Sequence, residues 1–295
     1  MHRKKFLKIT GITTLSIPMI STLHKLESIS ENFGPSERMP VLFLGHGSPM
    51  NGIEENEFVK EFRKQGKNLS KPNAIVVISA HWETKGTFIT AMENPKTIHD
   101  FGGFPQALYE VQYPAPGHPK LAKEISKIVE PQNTIHLDDK WGLDHGSWTV
   151  VKHLFPKADI PVIQISLDYS LSPNQHYELA QQLNRLRDRG ILIIGSGNIV
   201  HNLRRLNFAK INEHYGYDWA IEADEKMKKW ILEENHQNLI HFRKQGKAFD
   251  LAIPTPEHYL PLLYTLALKD KKDATTIFND NPLGGSLTMT SVKFG

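Results

Sequence analysis

Four histidines in this chain stand shortly after apolar segments, and this shared position suggests that they act together. In each case small residues or prolines surround the end of the apolar segment. The four are His46, His81, His201 and His258. A neutral imidazole is the commonest protein ligand for zinc, iron and copper. A single histidine is ordinarily explained by packing, so the repeated context is what predicts a metal site.

The chain contains no cysteine among its 295 residues. Disulfides, thiolate metal sites and cysteine nucleophiles are therefore excluded. Structural zinc sites are usually closed and rich in cysteine, whereas catalytic sites keep three protein ligands and one open position. A cysteine-free set of histidines thus favours a catalytic centre. Two histidines with a carboxylate would suit a non-haem Fe(II) oxygenase, and three histidines with a bound water would suit zinc hydrolysis; spacing alone does not separate them.

The apolar segments also predict the scaffold that positions these histidines. Short runs of Val, Ile and Leu are typical of parallel strands buried on both faces, and such sheets bind ligands beyond the carboxyl ends of their strands. Alternation with helical patterns predicts one α/β domain, with a mostly parallel central sheet covered by helices and the metal site at the strand ends. Strands are expected at 41–44, 74–78, 87–91, 162–167, 191–194 and, at a sheet edge, 286–293. Helices are expected at 55–67, 119–130, 147–154, 174–189, 218–245 and 257–268.

Two long connections carry further candidate residues. The segment 97–117 is rich in aromatic residues and glycine and would suit a lid over a planar substrate, with contacts from His99, Phe101 and Phe104. Packing on the sheet explains such rings equally well. In the second connection Asp144 precedes His145, so Asp144 either caps a helix or orients the His145 ring.

Charge divides the chain into two parts. The net charge is +3, but residues 1–25 contain five Lys or Arg and no acid, which leaves −2 for the rest. The body of the protein therefore offers no basic field for nucleic acid. We expect residues 1–38 to be an export-signal-like leader and linker, and residues 39–295 to be the catalytic domain.

The leader resembles a twin-arginine export signal. Basic residues from Arg3 to Lys8 precede a weakly apolar stretch, although the signal pair is Arg-Lys instead of Arg-Arg. This predicts a periplasmic protein; the alternatives are an uncleaved anchor or a cytoplasmic tail. Elsewhere the sequence has no run near the ~18 apolar residues of a membrane span.

Six motifs, in order along the chain, closely resemble those of the DOPA-dioxygenase group of class III extradiol ring-cleavage dioxygenases. They are Leu44–Asn51, Ser79–Trp82, Ile98–Pro105, Trp141–Trp148, Gly195–Leu203 and Pro254–Pro261. The resemblance covers the chain from about Met39 to Gly295. It implies a mononuclear site that holds Fe(II) in the active enzyme and often zinc as isolated. It also implies that a small aromatic diol of the catechol type is opened by O2 to give a semialdehyde.

The same resemblance implies roles for individual residues. His46, His81, His201 and His258 match the metal-site histidines of the family, and His145 or His201 would take the proton of a metal-bound catechol. In related protocatechuate-type enzymes the third ligand is a glutamate, and the histidine after the Gly-Ser-Gly-like turn is the base. His201 is therefore alternatively a base, and Glu257 is alternatively the third ligand in place of His258.

Two other classes of function remain open at this point. A zinc-dependent hydrolase would use the same ligands with a bound hydroxide, and a metal-binding protein of the same fold would have no catalytic role. Retention of the full histidine set together with His145 favours the enzyme. The sequence makes no prediction of the oligomeric state.

Overall fold

The computed structural model describes residues 36–129, 134–211 and 213–295. The predicted leader and nearly all of its linker lie outside these ranges. Within the described parts of the chain, no helix has the length and apolarity that a bilayer span needs.

Ten strands run through the described residues, and eight of them form one sheet. The strands are β1 (Val41–Gly45), β2 (Ala74–Thr84), β3 (Thr87–Thr90), β4 (Ile135–Asp138), β5 (Val162–Asp168), β6 (Ile191–Gly197), β7 (Thr275–Phe278), β8 (Pro282–Leu283), β9 (Leu287–Thr288) and β10 (Ser291–Phe294). The order in the large sheet is β4-β3-β5-β2-β6-β1-β10-β7, and β8 pairs with β9 in a separate ribbon.

The centre of the sheet is parallel. Strand β6 pairs in parallel with both β1 and β2, and β2 pairs in parallel with β5. Antiparallel pairing occurs further out, where β10 joins β1 to β7 and β3 joins β5. The predicted α/β domain with a mostly parallel sheet is confirmed. Its four central strands all end at the same edge, where ligands bind in this class of fold.

Nine α-helices are described: α1 (Glu57–Asn68), α2 (Gln106–Tyr109), α3 (Pro119–Ile128), α4 (His145–Leu154), α5 (Pro173–Gln181), α6 (Asp218–Leu232), α7 (His236–Ile240), α8 (Lys247–Ala252) and α9 (Leu260–Ala267). They cover both faces of the sheet. Successive side chains of each strand point to opposite faces, and the side chains on both faces are buried. Val41 and Phe43 belong to one buried apolar cluster, whereas Leu42 and Leu44 belong to another. This explains why the strand sequences are apolar without alternation.

Two predicted helices are divided in the structure. The helix predicted at 218–245 ends at Leu232, because Glu234 adopts a positive φ of 56°. Asn235 then caps the short helix α7 by accepting a hydrogen bond from the Asn238 amide. The helix predicted at 174–189 is α5 followed by a 3₁₀ turn at Asn184–Arg189.

The end of the chain also differs from the prediction. The strand predicted at 286–293 is split into β9 and β10, and these belong to different sheets. β10 lies between β1 and β7, so the edge position belongs to β7. Strands β4, β7 and β8 were not predicted, because they are only two to four residues long and are mostly not buried.

Candidate metal centre

The candidate centre begins where β1 and β6 end side by side. Gly45 pairs with Gly197 in the register of these strands, and the amide of His46 donates to the Gly197 carbonyl at 3.1 Å. Gly47 follows with a φ of +63°, a left-handed conformation that glycine adopts without a steric cost. The chain therefore turns sharply, and the ring of His46 lies buried at the strand end.

His81 does not follow a strand, because β2 continues beyond the predicted end to Thr84. The register between β2 and β5 shifts between Ile78 and Glu83. An irregularity of this kind changes the direction of the side chains within it. The Nε2 atom of His81 comes to lie 3.1 Å from the Nε2 atom of His46.

His258 is also positioned differently from the expectation. Leu251 and Ala252 belong to helix α8, so the apolar segment before His258 is not a strand. The backbone of His258 is held against the end of β6, where the Asn198 amide donates to the His258 carbonyl at 2.9 Å. Gly197 permits this approach, since a Cβ atom there would lie 2.1 Å from the same carbonyl oxygen.

The imidazole rings converge at this edge of the sheet. The ring centroids of His46, His81 and His258 form a nearly equilateral triangle, with sides of 4.9, 4.9 and 5.3 Å. His145 is the first residue of α4, and its ring centroid lies 3.8 Å from that of His81. His201 lies outside the triangle and stacks on His258 at 3.5 Å with nearly parallel rings.

In the rings of His46 and His258, hydrogen bonds determine which nitrogen is protonated and which is free to bind a metal. The Ser196 hydroxyl donates to the Gly146 carbonyl, so it accepts from Nδ1 of His46, which lies 3.1 Å away. The Glu257 carboxylate accepts from Nδ1 of His258 at 3.1 Å. A neutral imidazole with a protonated Nδ1 presents a lone pair on Nε2. These two rings therefore offer Nε2 as a ligand atom.

Asp100 gives the same arrangement to the ring of His145 and lies near that of His81. It was not singled out from the sequence. Its Oδ2 atom lies 2.9 Å from Nδ1 of His145 and 3.4 Å from Nδ1 of His81. Of the two roles that the sequence left open for Asp144, helix capping is the one that the structure shows. The Asp144 carboxylate caps α4 at the Ser147 amide and accepts hydrogen bonds from Ser79 and Gln164. A signal for Asp100 was present, since it lies inside the Ile98–Pro105 motif.

Burial keeps four of the imidazoles neutral, namely those of His46, His81, His201 and His258. It lowers the pKa of His81 to about 3 and that of His201 to about 4. It also holds the pKa values of His46 and His258 well below their usual range, and the neighbouring imidazoles lower both further. Metal binding requires the unprotonated form, so the set is suited to it at neutral pH.

The geometry fits a metal ion. The Nε2 atoms of His46 and His81 lie 3.1 Å apart. This is about the separation of two ligands of one ion at ~2.0–2.1 Å metal–nitrogen distances. Ligand atoms lie within 4.8 Å of one another in two groups, namely His46-His81-His145 and His201-Glu257-His258.

The centre lies in a cleft of about 770 Å³. Phe101 and Phe104 line it, as the sequence suggested for a lid over a substrate. His99 is not among the lining side chains, because its Nε2 atom is hydrogen-bonded to the Val111 carbonyl at 3.0 Å. The sequence did not identify the apolar outer wall, which consists of Leu203, Leu206, Phe208, Ile211, Leu283 and Leu287.

Comparison with known proteins agrees with this geometry. Residues 40–286 match the family model for the catalytic LigB subunit of aromatic ring-opening dioxygenase. The chain is 46% identical over 264 residues to the 4,5-DOPA dioxygenase extradiol of Escherichia coli (strain K12), covering 88% of this chain and 96% of the relative. It is 34% identical over 259 residues to the enzyme of the same name from Beta vulgaris, covering 86% and 96%.

A solved structure shares the fold. The crystal structure of an uncharacterized protein from Escherichia coli K12 superposes with a TM-score of 0.76 at 41% identity, covering 88% of this chain and 100% of that one. Enzymes of the matched family depend on a non-haem metal, which the converging histidines are suited to hold. The chain therefore belongs to the LigB family and is an extradiol aromatic ring-opening dioxygenase.

Proposed function

We propose that this enzyme opens the ring of a catechol with a DOPA-like side chain, using O2 and a mononuclear Fe(II), to give a semialdehyde. The observation that carries the proposal is the triangle of His46, His81 and His258 at the bottom of an aromatic cleft. The names of two relatives, each a 4,5-DOPA dioxygenase extradiol, support the substrate class.

We assign the metal to His46, His81 and His258. Nε2 of His81 lies 3.1 Å from Nε2 of His46. Oxygen atoms accept from Nδ1 of His46 and of His258, which leaves Nε2 of both rings free. Such support of the second ring nitrogen is usual for metal-binding histidines and raises their basicity. Bound iron would supply redox chemistry and would make the catechol hydroxyls more acidic. Zinc would also make the hydroxyls more acidic, but it has no redox chemistry.

His145 and His201 serve as proton-transfer groups in this proposal. His145 lines the cleft next to His81 and keeps Nε2 free, since Nδ1 is bonded to Asp100. It is therefore placed to accept a proton from a catechol hydroxyl at Nε2. His201 also lines the cleft and stacks on His258, and burial lowers its pKa to about 4, so the ring is neutral.

The aromatic wall orients the substrate ring. Phe101 contacts Phe104 edge to face at 5.3 Å, and it lies 5.6 Å from the ring of His145. Aromatic pairs favour such offset and edge-to-face contacts, so a catechol ring fits beside Phe101 with its hydroxyls toward the histidines. The apolar outer wall reduces the access of water.

The test is anaerobic loading with Fe(II), followed by exposure to O2 with a panel of catechols. We expect oxygen uptake and a yellow ring-fission product. The matched controls are zinc-loaded wild-type enzyme and Fe(II)-treated His46→Ala, which should both be inactive. Absence of oxygen uptake with every catechol would contradict the proposal. Hydrolysis by the zinc form would contradict it as well and would favour a zinc-dependent hydrolase.

A further inference from the structure

We infer that Asp100 is a positioning residue that sets the tautomer and orientation of His145 beside His81. The inference rests on the proposed function, because it takes His145 as the proton acceptor and His81 as a metal ligand. Asp100 acts through His145 and does not itself touch the reacting atoms.

Backbone pairing brings Asp100 to the site across a long sequence distance. Ile98 donates to the Leu143 carbonyl at 2.7 Å, and Leu143 donates to the Lys96 carbonyl at 2.8 Å. The indole of Trp148 also donates to the Ile98 carbonyl at 2.9 Å. These bonds fix the chain just before Asp100 against the segment that leads into α4 and against α4 itself.

Both carboxylate oxygens of Asp100 accept hydrogen bonds from His145. Oδ1 accepts from the backbone amide of His145 at 2.8 Å, and Oδ2 accepts from its Nδ1 at 2.9 Å. The first bond satisfies an amide in the opening turn of α4, where a negative charge is favoured. The second requires a proton on Nδ1, which leaves the lone pair on Nε2. Two bonds to one residue fix the ring direction as well as the tautomer.

The carboxylate also reaches the neighbouring ring. Oδ2 lies 3.4 Å from Nδ1 of His81, and the centroids of His81 and His145 are 3.8 Å apart. Burial alone would raise the pKa of Asp100, but its hydrogen bonds from His145 lower it overall. Asp100 therefore accepts hydrogen bonds from His145 and lies close to the ring of His81.

The test is Asp100→Asn in the full-length, Fe(II)-saturated enzyme, with His145→Gln and the double variant. An amide can still accept from the backbone, but its NH2 group would face Nδ1 of His145 and favour the other tautomer. A carboxylate-to-amide change of this kind in a catalytic triad lowers turnover ~10⁴-fold with the geometry intact. Here we expect kcat to fall ~10²–10⁴-fold with KM changed less than roughly threefold. Asp159→Asn, the same change at an exposed ion pair with Lys71, is the matched control and should have wild-type kinetics.

Two measurements separate positioning from a general structural effect. If Asp100 acts through His145, the double variant should be no slower than His145→Gln alone, whereas independent sites lose activity additively. Nitrogen-15 NMR of labelled imidazoles should show the His145 signal, identified by its absence in His145→Gln, as Nδ1-protonated in wild type and shifted toward Nε2-protonated in Asp100→Asn.

Additive losses, an unchanged tautomer or wild-type kcat in Asp100→Asn would each overturn the inference. If Asp100→Asn fails to fold, Asp100→Ser can replace it in the double-variant comparison with His145→Gln, without placing an NH2 group against His145. A fully additive loss of activity in that comparison would also overturn the inference. Failure of the proposed function is distinguishable from these outcomes, because wild-type enzyme would then show no oxygen uptake at all.

Discussion

The contact between Gly197 and His258 gives the sharpest prediction about the metal centre. A Cβ atom at residue 197 would lie 2.1 Å from the His258 carbonyl oxygen and 3.0 Å from its carbonyl carbon. An unstrained carbon–oxygen contact needs about 3.3 Å or more. In Gly197→Ala the backbone of His258 must therefore move by roughly 1 Å, which also disturbs its hydrogen bond from Asn198.

A displacement of this size should reduce both activity and stability. Misplacement of a reacting group by about 1 Å can reduce turnover by ~10²-fold, while overpacking of a buried site typically costs about 1–3 kcal/mol of unfolding free energy. We expect Gly197→Ala to lose ~10²-fold in kcat/KM and to bind its metal less tightly, while it still unfolds cooperatively.

The assays are metal analysis after gel filtration, oxygen uptake with a catechol, and thermal unfolding. Gly102→Ala is the matched control, because a Cβ atom at that position would contact nothing within 4 Å. It should keep wild-type metal content and activity. If Gly197→Ala folds and retains wild-type metal and turnover, then the close approach of these two backbones does not position His258.

The other predictions concern ligands, pH and substrate charge. His46→Ala and His81→Ala should each abolish metal retention without unfolding, since loss of a ligand should exceed the ~10–100-fold effect of changes around ligands; wild-type metal content in both would contradict the site. His201→Ala should keep its metal and lose turnover, whereas metal loss would make it a ligand. Burial lowers the pKa of His176 to about 4 from an unfolded value of 6.5, so its stabilising contribution is complete above pH 6.5 and is lost as the pH falls toward 4. Between pH 8 and pH 5, urea titrations should therefore show the wild type losing about 2 kcal/mol more unfolding free energy than His176→Gln, and equal losses would refute this. Four carboxylates and no Lys or Arg line the described cleft, so dopamine should exceed 3,4-dihydroxyphenylpropionate in kcat/KM by roughly tenfold; the reverse order would contradict that reasoning.

Local sequence patterns were sufficient for the main elements of the fold. Runs of Ile, Leu and Val such as Ile191–Ile194, followed by glycines, favoured strands buried on both faces. Ser172 caps α5 with the help of Gln175, as sequence signals at helix starts predict. Such signals depend on neighbours within a few residues. They failed where a segment was short, as in Leu251–Ile253, whose three apolar residues fit a helix as well as a strand.

The histidines were visible in the sequence, but their arrangement was decided by the tertiary structure. His46 and His258 are 212 residues apart, and they are brought together by the pairing of β1 with β6 and by the bond from the Asn198 amide to the His258 carbonyl. The partner of His145 illustrates the same point. Asp144 is its neighbour in sequence, yet successive residues at a helix start point in different directions, and Asp144 is used for capping. Asp100 reaches His145 from 45 residues away, because the direction of a side chain depends on the packing of the whole domain.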